Sequence, residues 1–465
     1  MFVLKGEKVV VENSLGWWSD VRGVILIGPS EEKGAYTRVG GVSVIERTLL
    51  SMSQCDFSEA TILSQHVRRA KRKLGDTSRL RMKVSHREMH LEGRAATALL
   101  RSALSEEALL LVMGDYLLDP RIIEAAAASE RRNLVCVDKG SSPQSVGELT
   151  VCEVHEGRVV KIGPDLETFN RTWVGVARLD QSVLHEIQGS GRGDVAWIYD
   201  LLNSLADKND LRALDLGEVP GYVPKVRRAT KPYWLRIEGP ENEKTAKKLL
   251  VAAASKEASD LLAKYVHTPL ENRIVYHLSD IPITPNQITV VTNVVAYAAT
   301  ILFLLGHLLP ASALTFVVGV VDGLDGKLAR VRQSVSRVGS LEHPFDFLFE
   351  ESWILALALY LHWDSRDSLP MILAVLIVLL TAFYRSIYDR FGRSAGRSLD
   401  DAGSFERAFR RVAGRRNLYS IHILGGILLG TPLYSLWSIL IHASLTAFVY
   451  SSRAFVHLRR LDLQR

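Results

Sequence analysis

Acidic residues stand in two groups beside an apolar run in the second half of the chain. Asp322 and Asp325 are three residues apart, while Glu342, Asp346 and Glu350 follow at four-residue spacing. Side chains three or four residues apart share one face of a helix, so each group can project toward a common point. A carboxylate beside lipid is costly unless it is paired, hydrated or bound to metal. The pattern predicts an oxygen-lined pocket between two helices, suited to Mg²⁺ or Mn²⁺ ions that bridge substrate phosphates.

Two glycines lie within the first acidic group. Gly323 and Gly326 carry no side chain, so a phosphate or a sugar can approach the backbone of the helix that presents the acids. The glycines are therefore consistent with a bound phosphorylated substrate.

The helices that would position these acids are apolar enough for a membrane. The first half of the 465-residue chain has the composition of a soluble domain, and from about residue 289 the sequence becomes strongly apolar. We predict six membrane helices, the shorter of which reach the required length of about 20 residues when their polar ends continue as helix. The apolar runs are residues 290–309, 311–321, 352–363, 369–384, 418–429 and 433–450.

Positive charge is concentrated beside the apolar runs, although the net charge is only +6. By the positive-inside rule, the arginine-rich segments are cytoplasmic, on the same side as the acidic groups. No apolar segment opens the chain, so we expect no cleaved signal peptide and a cytoplasmic first half. The expected protein is a multi-pass cell-membrane protein without a nucleic-acid partner. The arginines are Arg390, Arg393, Arg397, Arg407, Arg410, Arg411, Arg415, Arg416, Arg453, Arg459 and Arg460.

The first half alternates short apolar runs with helix-like stretches such as residues 44–52 and 95–103. This alternation predicts βαβ units around a mostly parallel sheet. Asp115 follows one predicted strand, where it could hold a metal or a ribose hydroxyl, or simply cap a turn. The predicted strands are residues 24–27, 60–63, 109–112 and 134–137, and the cysteines Cys55, Cys136 and Cys152 are predicted to be reduced core residues.

Residues 21–187 resemble sugar-phosphate nucleotidyltransferases, most closely inositol-1-phosphate cytidylyltransferase domains. The resemblance rests on GVILI at 23–27, VGG at 39–41, LVMGD at 111–115 and GRVVKIG at 157–163. Two departures indicate a degenerate site. The phosphate-binding loop contains Pro29 and two glutamates, and Trp173-Val174-Gly175 stands where the family has a second acid. Lys33 could still face a phosphate or be a solvated loop lysine. Regulation, oligomer contacts and product binding are the competing roles of this domain.

The junction between the halves carries its own pattern. Residues 241–266 predict an amphipathic helix leading to the bilayer, or a solvated connector. Next, residues 282–289 (PITPNQIT) begin the first membrane helix with a proline and capping side chains. Arg273 and His277 are candidate phosphate contacts, with an ion pair to Glu271 or Asp280 as the alternative.

From residue 282 onward the sequence resembles the CDP-alcohol phosphotransferase (CDP-alcohol phosphatidyltransferase) family. The first half of the family motif reads DGLDGKLAR at 322–330, and eight residues separate it from Gly339. The family's second acid pair would fall on His343 and Phe347. A one-residue deletion, which we prefer, puts Glu342 and Asp346 in those roles, whereas a three-residue insertion puts Asp346 and Glu350 there.

The resemblance implies transfer of a phosphate-linked alcohol from a CDP-alcohol to an acceptor hydroxyl, with release of CMP. It implies that Asp322, Asp325 and Glu342 (or Glu350) hold Mg²⁺ or Mn²⁺ with Asp346, and that Asp346 is the general base. The implied nucleotide contacts are Thr284, Pro285, Asn286, Thr289, Gly326, Ala329 and Arg330, and the acceptor-phosphate candidates are Arg273, His277 and Arg385.

The fusion of the two halves resembles bifunctional archaeal enzymes that make CDP-inositol and join it to inositol phosphate. The expected fold is an α/β nucleotidyltransferase-like domain (1–235), an amphipathic juxtamembrane linker (236–283) and an all-α six-helix transmembrane domain (284–465). An alcohol or inositol-phosphate acceptor, membrane lipid and a second copy in a homodimer are the implied partners. A lipid synthase using a CDP-activated lipid, and a degenerate scaffold or transporter, remain alternatives.

A degenerate phosphate loop predicts that the first domain does not transfer cytidylyl groups. The purified chain with CTP, Mg²⁺ and inositol phosphate should yield no CDP-inositol above a reaction without protein. Enzyme-dependent CDP-inositol in this assay would contradict the prediction.

Overall fold

The computed structural model describes residues 2–4, 7–9, 21–74, 79–88, 108–139, 149–185, 196–223, 226–257, 260–334 and 342–463. The chain forms two compact units. The first is Met1–Gly221 with Ala229–Leu249, and the second is Tyr222–Arg228 with Leu250–Arg465.

Short strands dominate the first part of the chain. They are β1 (Phe2–Leu4), β2 (Glu7–Val9), β3 (Val21–Ile27), β4 (Arg38–Val39), β5 (Val42–Ser43), β6 (Glu59–Ser64), β7 (Lys83–Glu88), β8 (Ala108–Met113), β9 (Tyr116–Leu118), β10 (Leu134–Asp138), β11 (Val151–His155), β12 (Arg158–Gly163), β13 (Arg171–Leu179), β14 (Arg212–Asp215), β15 (Tyr222–Val223), β16 (Arg228–Ala229) and β17 (Trp234–Arg236). All four strands predicted from the sequence are confirmed, as parts of β3, β6, β8 and β10.

A nine-stranded sheet in the order β10-β14-β12-β11-β13-β8-β3-β6-β7 forms the centre of the first unit. Strands β8, β3 and β6 pair in parallel, as predicted from their continuous apolar runs, and β7, which was not predicted, extends them in parallel. The remainder is largely antiparallel, so the expectation of a mostly parallel sheet is wrong for that part. A hairpin accounts for part of it: β11 and β12 are joined by Glu156 and Gly157, both with positive φ, and this turn reverses the chain. Strand β13 also runs antiparallel to β8, β10 and β11.

Helices cover this sheet, and its core is apolar. The helices are α1 (Glu32–Ala35), α2 (Val44–Gln54), α3 (Val67–Leu74), α4 (Pro120–Ala127) and α5 (Ala196–Asp207). Helix α2 confirms the prediction for 44–52, and Ser43 accepts a hydrogen bond from Glu46 N–H at its start. The predicted helix at 95–103 lies outside the described residues. The three cysteines are free thiols, two of them fully buried.

The single helix predicted over 241–266 is wrong. Helix α6 (Glu243–Ala253) ends early, and a wider helical turn (Ala263–His267) leads into α7 (Thr268–Leu278). The Asp260 carboxylate accepts a hydrogen bond from Ala263 N–H at 2.8 Å, which caps the new helix and separates it from α6.

The second unit is helical. After α7 it contains α8 (Pro285–Leu304), α9 (Leu308–Val331), α10 (Glu342–Ser365), α11 (Leu369–Ala395), α12 (Ser404–Phe409), α13 (Arg416–Leu428) and α14 (Pro432–Asp462). Of the described helices, four are long and apolar enough to cross a membrane, namely α8, α9, α11 and α14. These four support a membrane protein.

Small residues and internal hydrogen bonds hold the helices together. Ala296 and Ala299 of α8 are fully buried, which allows close helix approach. Trp353 Nε1 of α10 donates to the Ala296 carbonyl at 2.8 Å, and the hydroxyls of Thr300 and Ser352 lie 2.7 Å apart. Large apolar side chains point outward, such as Phe448 at 72% exposure, as expected where lipid is the solvent.

The fold predicts that replacing either of two glycines of the α/β unit by alanine lowers the free energy of unfolding, by different amounts. Gly175 has φ +78, and a Cβ there would lie 2.7 Å from the Tyr116 ring, whereas Gly157 has φ +75 and open space around it. Gly175→Ala should lower the free energy of unfolding by about 3 kcal/mol, from backbone strain plus overpacking, and Gly157→Ala by about 1 kcal/mol from strain alone. Denaturant unfolding followed by tryptophan fluorescence measures both; equal losses would contradict the packing described.

Candidate functional site: an acidic cluster with internal arginines

Arginine side chains neutralise two of the predicted acids. Arg416, the first residue of α13, donates from Nη2 to Asp322 Oδ2 at 2.5 Å, and its Nη1 lies 3.6 Å from Glu350 Oε1. Arg385 of α11 donates to the other carboxylate oxygen of Glu350. Both guanidinium groups also lie over aromatic rings, Arg385 over Phe347 and Arg416 over Phe349.

Asp325 is joined to the start of α8 instead. Thr289 Oγ1 donates to Asp325 Oδ2 at 2.5 Å, and the Gly326 N–H donates to Oδ1 at 2.5 Å. Thr284 caps α8 reciprocally with Gln287, as the PITPNQIT pattern predicts. This contact brings the predicted nucleotide element, through Thr289, directly against the acidic helix.

Other candidates of that element lie around this contact. Pro285 is the first residue of α8, and Asn286 is exposed beside it. On α9, Ala329 is buried, and Arg330 Nε donates to the Ala254 carbonyl at 2.8 Å. Arg330 therefore fixes the segment before α7.

Asp346 belongs to the same cluster as Asp322. It interacts electrostatically with Asp322, Arg416 and Glu350, and His343 Nδ1 lies 3.7 Å from its Oδ2. The side chain of Glu342 and the position of Gly339 lie outside the described residues. Glu350 is the acid that the described contacts bring into the cluster beside Asp322 and Asp346.

One buried ion pair of α9, the helix that carries the acidic motif, was not predicted from the sequence. Lys327 is 2% exposed, and its Nζ lies 2.7 Å from Glu271 Oε2 and 2.8 Å from Asn272 Oδ1. Glu271 also lies against Gly323, where a Cβ would overlap its carboxylate. The signal was a lysine inside an apolar helix, which requires an acidic partner.

This ion pair bears on one alternative for α7. Glu271, one of the two acids considered as a partner of Arg273 or His277, pairs with Lys327. Arg273 and His277 are exposed on α7, and the described contacts join neither of them to the acidic cluster. Arg416 was grouped from the sequence with the basic connection that follows Arg385, as a topology signal and a possible phosphate contact, but it was not paired with the acids. Its place as the first residue of an apolar helix was the hint that it reaches inward.

The carboxylate oxygens of the acidic cluster are the kind of ligand that a hard divalent cation prefers. Asp322 and Glu350 place carboxylate oxygens at the Arg416 guanidinium, and Asp346 interacts electrostatically with all three. Within the described residues, no group of three or more His, Cys, Asp and Glu side chains has the arrangement of a metal site. Binding of a metal here would thus require the arginine to yield part of its contact with the acids.

The soluble-domain candidates lie at the carboxyl ends of parallel strands. Asp115 follows β8, as predicted, and is 2% exposed. Burial raises the pKa of Asp115 to about 7, against the lowering effect of the neighbouring Arg236 cation. Lys33 is mostly exposed, with its Nζ 3.5 Å from Glu241 Oε1. Trp173 is a core residue that donates to the Val176 carbonyl at 2.9 Å, so no acid stands at that position.

A family model describes the part of the chain that carries this geometry. Residues 282–395 match the model of CDP-alcohol phosphatidyltransferases. The helical unit contains a CDP-alcohol phosphatidyltransferase domain. The match covers helices α8 to α11 and therefore includes Thr289, Asp322, Asp325, Asp346 and Arg385. Arg416 lies beyond it.

The chain is similar to curated proteins that are named as bifunctional. It is 26% identical to the "Bifunctional IPC transferase and DIPP synthase" of Aquifex aeolicus, over 66% of this chain and 66% of the relative. The protein of the same name from Archaeoglobus fulgidus is 26% identical over 67% of this chain and 60% of the relative. The match thus spans about two thirds or less of the length of these curated relatives.

Two further matches cover single parts of the chain. The "Archaetidylinositol phosphate synthase" of Pyrococcus horikoshii is 35% identical over 102 residues, which are 21% of this chain and 54% of that relative. Among solved structures, the inositol-1-phosphate CTP transferase from T. maritima has 17% identity and a TM-score of 0.39, and covers 49% of this chain and 93% of that one.

The site predicts a specific cost for Gly323→Ala. The added Cβ would displace the Glu271 carboxylate from Lys327, leaving a buried ammonium group without its acid. We expect a loss of about 3 kcal/mol in the free energy of unfolding, typical of breaking a buried pair. Gly425→Ala in α13 is the matched control, because open space surrounds that helical glycine. Unfolding of the purified chain in detergent measures both, and equal stability of the two variants would contradict the pairing.

Proposed function

We propose that the chain is an integral membrane transferase that moves a phospho-alcohol from a CDP-alcohol to an acceptor hydroxyl and releases CMP. The observation that carries the proposal is the set of acids at Arg416. Asp322 of α9 and Glu350 of α10 contact Arg416, and Asp346 of α10 interacts with it electrostatically, while Asp325 of α9 is hydrogen-bonded to Thr289. Carboxylates without positive partners would be unstable among apolar helices. A CDP-alcohol needs carboxylates that hold a metal ion at its pyrophosphate, next to a nucleotide-binding element such as the start of α8.

Each side chain has a role in the proposed reaction. Thr289, Gly326 and Ala329 line the space for the cytidine and ribose. Thr284, Pro285, Asn286 and Arg330 lie close to that space. Mg²⁺ or Mn²⁺, held by Asp322, Asp325, Asp346 and Glu350 or Glu342, would supply positive charge to the pyrophosphate and to the leaving CMP. Asp346 accepts the proton of the acceptor hydroxyl.

Arg385 and Arg416 support a phosphorylated acceptor. Guanidinium groups bind phosphate in two-point contacts, and these two are held close to the acids by Glu350 and Asp322. An acceptor phosphate would take over contacts that the carboxylates make with these arginines, while a bound cation would take over the carboxylates. The exchange keeps every buried charge paired.

We further propose an inositol-phosphate acceptor, a six-helix membrane domain with its site on the cytoplasmic side, and a homodimer. The names of the Aquifex and Archaeoglobus relatives support inositol chemistry. The apolar helices support the membrane domain, and the arginine-rich segments support a site on its cytoplasmic side by the positive-inside rule. Phospholipid synthesis from a CDP-activated lipid is the second candidate, favoured by the similarity to an archaetidylinositol phosphate synthase.

Transfer should require a divalent metal ion and the Asp346 carboxylate. With CDP-inositol, inositol phosphate and Mg²⁺, the purified chain should release CMP, and EDTA should abolish the release until Mg²⁺ or Mn²⁺ is restored. Asp346→Asn should lower the rate at least about 100-fold, because the base is lost. Asp364→Asn is the control, since Asp364 is exposed near the other end of α10. No CMP from CDP-inositol or from a CDP-activated lipid with any acceptor would refute the enzyme.

The arginine pair should decide the affinity for the acceptor. Arg385→Gln should raise the KM for inositol phosphate about 10- to 100-fold, since a hydrogen bond to a charged group is lost, and leave the KM for the donor unchanged. The control is Arg393→Gln, an exposed arginine two turns further along α11. A larger effect on the donor KM than on the acceptor KM would contradict this role.

A further inference from the structure

An arginine contacts the acid at the carboxyl edge of the sheet in the α/β unit. Arg236 Nε donates to Asp115 Oδ2 at 2.8 Å, and Arg236 Nη2 lies 3.9 Å from Glu31 Oε1. The backbone fixes this position: β17 pairs antiparallel with β9, so that Arg236 stands opposite Tyr116. In addition, Ile237 N–H donates to the Asp115 carbonyl at 2.8 Å.

The two buried acids at this edge of the sheet require a positive group beside them. Asp115 and Glu31 are 2% and 3% exposed, and they repel each other electrostatically. Burying two carboxylates costs several kcal/mol unless a positive group compensates them. Asp115 Oδ1 is buried and accepts no hydrogen bond from the described residues, so one oxygen of the acid keeps capacity for a ligand.

The segment that carries Arg236 also covers the predicted phosphate loop. The Ile237 carbonyl packs against Gly34, where a Cβ would overlap it, and Glu241 pairs with Lys33 at 3.5 Å. At its start the segment is anchored to Asp138, which accepts from Lys231 Nζ at 2.5 Å and Trp234 Nε1 at 2.9 Å. Residues 231–241 thus engage four positions along the edge where a nucleotide would bind.

We infer that Arg236 is a built-in cation that takes the place of a divalent metal ion at Asp115, and that residues 231–241 close this edge of the sheet. The α/β unit then folds and persists without a metal ion. This inference concerns a different unit from the proposed transferase site and does not rest on that function.

The test is Mn²⁺ binding to the full chain, measured by electron paramagnetic resonance at pH 8. Asp322→Asn/Asp325→Asn is the parent, so that the acids of the helical unit contribute less to the signal. With Arg236 present, Asp115→Asn should leave the number of bound ions unchanged. Arg236→Asp, which replaces the cation by a third carboxylate, should add one bound ion, and Asp115→Asn should remove it.

Two results would overturn the inference. One is an Mn²⁺ ion that depends on Asp115 while Arg236 is intact. The other is a folded Arg236→Asp variant that binds no additional ion, because Arg236 would then not occupy a cation site.

A second variant covers the case in which Arg236→Asp does not fold. Arg236→Gln should lower the Tm of the α/β unit by about 5 °C or more, since two buried acids lose their cation, and millimolar Mn²⁺ should restore it. Arg121→Gln is the matched control, because Arg121 also pairs with a buried acid, Asp119, at 2.7 Å. Its Tm should fall without any response to Mn²⁺. A Tm loss in Arg236→Gln that Mn²⁺ fails to reverse would refute the inference.

Discussion

Carboxylates among apolar side chains must find positive partners, and this constraint organises the helical unit. Asp322 and Glu350 belong to different helices, and Arg416 of a third helix contacts both. Lys327 meets the same requirement in reverse with Glu271. Because an unpaired buried charge costs several kcal/mol, these pairs fix how α7, α9, α10 and α13 pack. A substrate that carries both phosphate and metal can exchange with such pairs without leaving a charge uncompensated.

The α/β unit meets the same constraint in a different way. Its edge acid, Asp115, is compensated by Arg236, which reaches it on a strand of the same unit. The arginines of the acidic cluster in the helical unit contact acids across helices. Arg236 instead arrives together with a covering segment. The covering segment separates the two proposed roles, transfer in the helical unit and a closed sheet edge in the α/β unit.

Local patterns predicted most of the elements, and long-range contacts explain the failures. Continuous apolar runs identified β3, β6, β8 and β10, and the proline with capping residues identified the start of α8, because these signals are local. The break at Asp260 was missed, since amphipathic spacing continues across it. The spacing of Asp322 and Asp325 predicted the acidic face, but Arg416 is 94 residues from Asp322 in sequence, so no local pattern joins them.

Helix α13 has only 13 residues, and Arg416 is the first of them. At 1.5 Å per residue such a helix is about 20 Å long, against a hydrocarbon core of about 30 Å. In the proposed six-helix membrane domain, lipid beside this helix would have to thin, or give way to water, over the remaining distance. Hydrophobic mismatch at one short helix would create a shallow aqueous depression above Arg416. A hydrophilic alcohol could then reach the acids while the rest of the bundle remains surrounded by lipid of full thickness.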